Sequence, residues 1–358
     1  MKKLIILPVI LFFCASIFAQ KEKIEITKEL KPTSVKNQAM SSTCWSFATI
    51  SFLESELLRM GKGEYDLSEM FFVRKAYPMK AYNYYHLQGN GNFGPGGQAH
   101  DITLLFKEYG AIPESVYSGL INGKSHDQLK MDDVLLKIMK TSANKLPDET
   151  FSKWKFSVDS VMDIYLGVMP ETFNFNGKNF TPKSFAESLN LNPDNYIELT
   201  SYTHHPYYKQ FVHEVPDNWM FEKYYNLPVD ELISIMINSV NMGYTFCWDG
   251  DVSDETSFSD NGGVATVENE KVKITQNDRQ QAFDNFSVTD DHLMHITGLA
   301  KSDDGSIYFL TKNSWGDKKG NNGFWFMSEN YVRLKTIAIM VHKDVIPSEI
   351  KMKLGINQ

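Results

Sequence analysis

The chain has 358 residues, 42% of them hydrophobic, 13% aromatic and 22% charged, with a formal net charge of −8. A chain of this length and apolar content buries a substantial core, which excludes a disordered or low-complexity protein. The acidic balance lacks the basic field that nucleic acid or an anionic membrane surface recruits, so neither is expected as a partner.

Residues 1–19 read as a signal peptide. Lys2 and Lys3 precede an apolar run from Leu4 to Phe18, and Ala19 offers a small residue before Gln20. The run falls short of the roughly 20 apolar residues a spanning helix needs, so export to the periplasm or the extracellular space is expected, without stable membrane insertion. Bulky Phe13 argues against lipid attachment at Cys14. Cleavage leaves Cys44 and Cys247, too few for a disulfide framework.

Residues 20–37, charged and containing Pro32, form an extended lead-in. A helical lobe follows over 38–119. Its first helix starts at Ser42-Thr43, whose hydroxyls can cap it, and runs to Met60 before Gly61. A second helix opens at Asp66-Leu67-Ser68-Glu69 with Ser68 as cap, Gly89 to Gly97 form a glycine-rich turn, and a third helix spans 99–109 and stops at Gly110. Residues 120–226 alternate prolines with mixed helices and aromatic loops and read as an insertion or accessory region. Residues 227–348 are β-rich, with strands expected over 242–248, 292–299, 306–313, 323–327 and 336–342, and 349–358 form a tail. Helices first and strands later point to an α+β protein of two lobes with a cleft between them.

A thiol serves as nucleophile only when ionised, and a free cysteine is mostly protonated at neutral pH. Cys44 stands at a helix start, where partial positive charge lowers the pKa. A lone Cys beside Trp45 and Phe47 is otherwise a buried apolar residue. Of the two histidines in Asp290-Asp291-His292-Leu293-Met294-His295, three residues apart on a strand, only one can face a given partner. The same geometry, with no third ligand nearby, excludes a zinc site there. No motif for ATP, nicotinamide or metal is present, and no cofactor is expected.

Gln38-Ala39-Met40-Ser41-Ser42-Thr43-Cys44-Trp45-Ser46-Phe47 resembles the active-site segment of papain-like cysteine peptidases. Asp291-His292, followed by Gly298, is similar to that family's histidine strand, and Asn313-Ser314-Trp315-Gly316 to its asparagine segment. The resemblance implies a helical left lobe and a β-barrel right lobe carrying a large insertion. It implies Cys44 as nucleophile, His292 as base, Asn313 as orienting residue, and Gln38 with the Cys44 N–H as oxyanion donors, with Trp315 and Asp291 in support. His295 is left a packing role. Gly96 and Gly97 in Gly94-Pro95-Gly96-Gly97 resemble the glycine pair that lets substrate backbone lie close, and Phe246-Cys247-Trp248-Asp249 the strand lining the pocket for the residue before the cleavage-site residue, with Cys247 in its wall.

Ser41, where exported relatives carry a disulfide Cys, the short lead-in and the separation of Cys44 from His292 favour the bleomycin hydrolase and aminopeptidase C branch. That branch implies peptide substrates, trimming from the amino terminus, a C-terminal arm in the cleft and a homo-oligomer, often a hexamer. A papain-like endopeptidase, an acyl transferase with the same triad, and a non-catalytic binding protein retaining the fold are the alternatives.

Overall fold

The computed structural model describes residues 23–121, 123, 125–143 and 150–356; the signal segment 1–19, Cys14 and the last two residues of the tail lie outside them. The lead-in forms strand β1 (Ile24–Glu29) and then crosses to helix α1 (Cys44–Arg59). Helix α1 is buried from Cys44 to Leu57, as expected of a helix clasped on all sides. Thr43 does not cap it: its hydroxyl bonds to Ser41 Oγ at 2.6 Å, so no side chain occupies the helix start. Helix α2 (Glu69–His86) is capped as expected, Ser68 Oγ accepting from the Phe71 N–H at 3.0 Å, and α3 (Ala99–Tyr109) ends at Gly110.

Residues 120–226 divide between two cores. Helices α4 (Leu129–Ala143) and α5 (Thr150–Leu166) pack on α2 through Met131, Leu135, Val158 and Met162. The hairpin β2 (Phe173–Phe175) and β3 (Lys178–Phe180) and helix α6 (Pro182–Leu189) close that end. The remaining strands β4 (Tyr196–Thr200), β5 (Gln210–Val212) and β6 (Lys223–Asn226) join the main sheet.

Helix α7 (Val229–Met242) precedes β7 (Phe246–Gly250). The expected strand over 242–248 therefore begins four residues late. The apolar stripe of Leu232, Ile233, Ile235, Met236 and Val240 carries the helix on until Gly243 stops it with a left-handed φ of 90°. Then come β8 (Phe258–Ser259), β9 (Val264–Ala265), α8 (Gln276–Asp284), β10 (His292–Ser302), β11 (Ile307–Lys312), β12 (Phe324–Ser328), α9 (Glu329–Lys335), β13 (Thr336–His342) and α10 (Ser348–Leu354).

Eleven strands form one sheet in the order β5-β6-β4-β13-β7-β10-β11-β12-β9-β8, with β1 on β10. This path is open, so the hydrogen-bonded ladders of the described residues do not close a barrel. The fold is α+β in two lobes, a helical core around α1 and α2 and a second core over the sheet. Strand β10 is shared: residues 292–296 pair with β7, residues 298–302 with β1, and β11 runs along the other side. Gly298 sits where these arrangements meet, and a Cβ there would stand 2.5 Å from the Lys28 carbonyl oxygen of β1. The glycine six residues beyond His292 is thus required by the close approach of β1.

Candidate active site

Helix α1 lies against β7 and β10 along the seam between the lobes. Thr49 Oγ1 meets Cys247 Sγ at 3.6 Å, Ser51 Oγ meets His295 Nδ1 at 2.9 Å, and Lys312 Nζ donates to Ser51 Oγ at 2.8 Å. These contacts fix the start of the helix, and therefore Cys44, beside the first residues of β10.

His292 and His295 separate as alternation on a strand requires. His295 and Leu293 face α1, whereas Met294 and Ile296 belong to the core beyond the sheet. His292 Nε2 meets Asn313 Oδ1 at 2.8 Å. Asn313 Oδ1 also accepts from the Ser314 N–H at 2.7 Å, so it is fixed as the acceptor and the ring must donate to it from Nε2. That assigns the tautomer with Nδ1 as the free base. Trp315 covers the ring, its centroid 4.8 Å from that of His292 at an interplanar angle of 34°.

The lead-in brings Gln38 to the same place. Its N–H donates to the Ser314 carbonyl at 2.8 Å, the Gly316 N–H donates to the Lys36 carbonyl at 3.0 Å, and Ser314 Oγ donates to Gln38 Oε1 at 2.6 Å. The carbonyl end of the amide is thereby taken and the NH2 end is left as donor. With α1 uncapped, the Cys44 N–H of its first turn offers a second donor. Asp291 accepts from the Val252 N–H at 3.0 Å and, with His292, Trp315, Phe258 and Lys319, lines an open cleft of 680 Å³.

Electrostatics depart from expectation. Burial pushes the Cys44 thiol up to about 12, against a backbone hydrogen bond from Leu293, with the charges of Asp249, Asp290 and Asp217 adding to the rise. Burial likewise pushes the His292 imidazole down to about 4, with the Asn313 hydrogen bond opposing. Both shifts favour the neutral thiol and the neutral imidazole over the ion pair. The helix start that was expected to lower the thiol pKa is outweighed by desolvation and by three carboxyl groups that sequence spacing did not bring together.

Cys247 is 1% exposed and packs beneath α1, which makes it a core residue rather than part of an open pocket wall. Asp249, two residues further along β7, shares its face, and its carboxyl is one of those that act on the Cys44 thiol. At the glycine pair, a Cβ on Gly97 would meet Asp101 Oδ2 at 2.5 Å and the Trp45 ring at 3.0 Å, and one on Gly96 would meet Asp217 Oδ2 at 1.9 Å. Gly97 is therefore held glycine by the Trp45 ring, whereas a side chain at Gly96 would have to displace the Asp217 carboxyl. The loop is anchored by Trp45 Nε1 donating to the Pro95 carbonyl at 2.8 Å and by buried Lys80 donating to the Gly94 and Gly96 carbonyls.

Relatives share this architecture. Aminopeptidase C of Streptococcus thermophilus is 26% identical over 380 residues, covering 91% of this chain and 83% of its own, and aminopeptidase C of Lactococcus lactis subsp. cremoris is 24% identical, covering 91% and 84%. The crystal structure of PepW from Lactobacillus rhamnosis superposes with a TM-score of 0.78 at 19% identity, covering 92% of this chain and 84% of that one. The Peptidase C1-like family matches residues 90–357, a span that contains His292 and Asn313 and most of the sheet, and the chain belongs to that family.

Proposed function

We propose that the protein is a cysteine aminopeptidase in which Cys44 is the nucleophile and His292 the base. The observation that carries this reading is the meeting, at the lobe seam, of the Cys44 helix start, the His292–Asn313 bond under Trp315, and the Gln38 amide turned by Ser314. The relatives named aminopeptidase C supply the direction of trimming.

Because the neutral pair is favoured, the thiol proton passes to His292 Nδ1 as sulfur attacks the carbonyl carbon of the scissile bond. The oxyanion that forms is held by the Gln38 NH2 and the Cys44 N–H, donors fixed before the charge develops. His292 then gives its proton to the leaving amine, which departs through the cleft at Asp291 and Trp315. Water, deprotonated by the same nitrogen, releases the acyl group. Throughout, Asn313 keeps Nε2 as the donor so that Nδ1 remains the working nitrogen.

Mass-spectrometric mapping of products from a peptide library with free and acetylated amino termini tests this reading. Single residues released from free peptides only is the expected result; internal cuts in acetylated peptides at equal rate would make the protein an endopeptidase. We also propose that residues 1–19 direct export, on the strength of Lys2, Lys3 and the apolar run to Phe18. Amino-terminal sequencing of the exported protein, with Gln20 as the expected first residue, checks it.

A further inference from the structure

Three carboxyl groups lie within electrostatic reach of Cys44, and Lys80 is the cation that acts on one of them, Asp217. Asp249 comes from β7, Asp290 from the residues leading into β10, and Asp217 from the loop before β6. Among the described residues, none of the three is ion-paired to a lysine, arginine or histidine. The nearby positive groups make their hydrogen bonds elsewhere. Lys80 Nζ is given to the Gly94 and Gly96 carbonyls, behind Asp217; His100 is paired with Glu198 at 2.6 Å; Arg279 donates to the Ser201 carbonyl at 2.7 Å.

Asp249 is the most telling of the three. It is 3% exposed, and no donor among the described residues reaches either of its oxygens. Its neighbour is Asp290, itself held by Gln98 Nε2 at 2.7 Å, and a carboxyl facing a carboxyl is held only by a shared proton. A buried acceptor with no donor is costly, and two acids side by side are more so. Asp217 lies over Gly96, its Oδ2 standing where a side chain at that position would begin, and Asn92 Nδ2 donates to its other oxygen at 2.8 Å.

We propose that Asp249 and Asp290, together with Asp217, form a socket for the free α-ammonium group of the peptide substrate. This rests on the aminopeptidase reading and deepens it: the socket is what confines cleavage to amino termini. Its location suits the task. Only the α-carbon separates the terminal nitrogen from the carbonyl carbon that Cys44 attacks, so an ammonium anchor must lie beside the nucleophile, and all three carboxyl groups are close enough to raise the energy of a negative sulfur. An ammonium group also suits the socket better than a metal ion. Among the described residues, only His204 and His205 of the β4–β5 connection and Glu214 of the β5–β6 loop bring three His, Cys, Asp or Glu ligand atoms within 4.8 Å of one another, and none of the three socket carboxyls is among them.

The tail does not provide this anchor in its described part. Helix α10 docks by Ile350 and Leu354 onto the core beyond the sheet, Lys353 pairs with Glu231 of α7 at 3.0 Å, and Ile356 packs on the same core. None of these residues belongs to the cluster that contains Cys44.

The test compares leucyl anilide with its N-acetyl derivative on the full chain. For the unaltered protein the ratio of kcat/KM, free over acetylated, is expected to exceed about 100. Asp249→Asn and Asp290→Asn each lower that ratio at least tenfold, chiefly through KM for the free substrate, and Asp217→Asn lowers it in the same direction. Removing residues 351–358 leaves it unchanged. A ratio that survives all three substitutions, in protein with unchanged melting temperature and thiol titre, overturns the socket while leaving the aminopeptidase reading intact. A ratio that collapses on truncation alone assigns the anchor to the tail and overturns it as well.

Binding without turnover separates the two ideas from the other side. Leucinamide is expected to protect Cys44 from iodoacetamide in the unaltered protein and not in Asp249→Asn, while N-acetylleucinamide protects neither. That pattern upholds the socket even in a protein that hydrolyses nothing. Protection by N-acetyl-lysinamide and not by leucinamide would show a side-chain ammonium to be the occupant and overturn the assignment to the α-amine.

Discussion

Ser314 Oγ donates to Gln38 Oε1 at 2.6 Å, and this one bond decides which end of the Gln38 amide is left as a donor. Gln38→Ala is expected to lower kcat by about 100- to 1000-fold with KM little changed, because the lost donor acts on charge that exists only in the transition state. Ser314→Ala frees the amide to rotate and is expected to cost roughly tenfold in kcat. Steady-state kinetics on one free dipeptide decide the matter, and a loss confined to KM would remove Gln38 from the oxyanion site.

The two histidines are expected to behave oppositely. Cys44→Ala and His292→Ala abolish turnover and leave the melting temperature near that of the unaltered protein. His295→Ala, which strips a partner from Ser51 inside the seam, retains turnover but lowers stability by about 2 kcal/mol. Thermal melting and activity on the same preparations check both halves, and an inactive but stable His295→Ala would reverse the assignment.

Alkylation reports on the neutral resting pair. With the Cys44 thiol at about 12 and His292 at about 4, the rate with iodoacetamide is expected to be low at pH 5–6 and to climb steadily with pH beyond about 9. Cys247, sealed under α1, stays unlabelled while the protein is folded. A plateau reached already at mildly acidic pH would show a preformed ion pair instead.

Stability should carry a signature of His100. Burial disfavours its charged form, but Glu198 and Asp101 overcome this and raise it from 6.5 to about 9. A histidine that binds its proton more tightly when folded contributes stability that is complete below about 6.5 and is lost as pH rises through about 9. His100→Gln is therefore expected to be less stable than the unaltered protein near pH 6 and to lose less between pH 6.5 and 9. Urea midpoints across that range measure the difference, and parallel slopes would refute it.

Local signals served well where one residue type leaves few choices. Ser68 as a cap, Gly110 as a stop, the strand over Thr336–His342 and the two-lobed α+β order could all be read from the chain. The strand expected at Met242 failed because a helical stripe and a β-rich run abut there, and only the φ of 90° at Gly243 separates them. Cys44, Gln38, His292, Asn313 and Trp315 stood out through three segments that resemble those of a known family, and the fold places them along one seam. The socket did not stand out. Asp217, Asp249 and Asp290 lie in unrelated stretches, and nothing in spacing tells a carboxyl on a strand end that it will face two others. The raised thiol pKa follows from that same long-range meeting, so it escaped notice too.

Strand β1 completes its ladder on a segment that is made near the end of synthesis. Thr27 Oγ1 reaches the Leu299 carbonyl across 272 residues, and Ile24 pairs with Ser302. At about 5–20 residues per second the amino-terminal strand waits through nearly the whole of translation before its partner exists, and closure over so long a loop is slow. Until then β1 is an open edge. The strand that relieves that edge is also the one that begins with His292, so a nascent or truncated chain lacking it has none of the base proposed above. Completion of the fold and acquisition of the proposed activity are therefore one event.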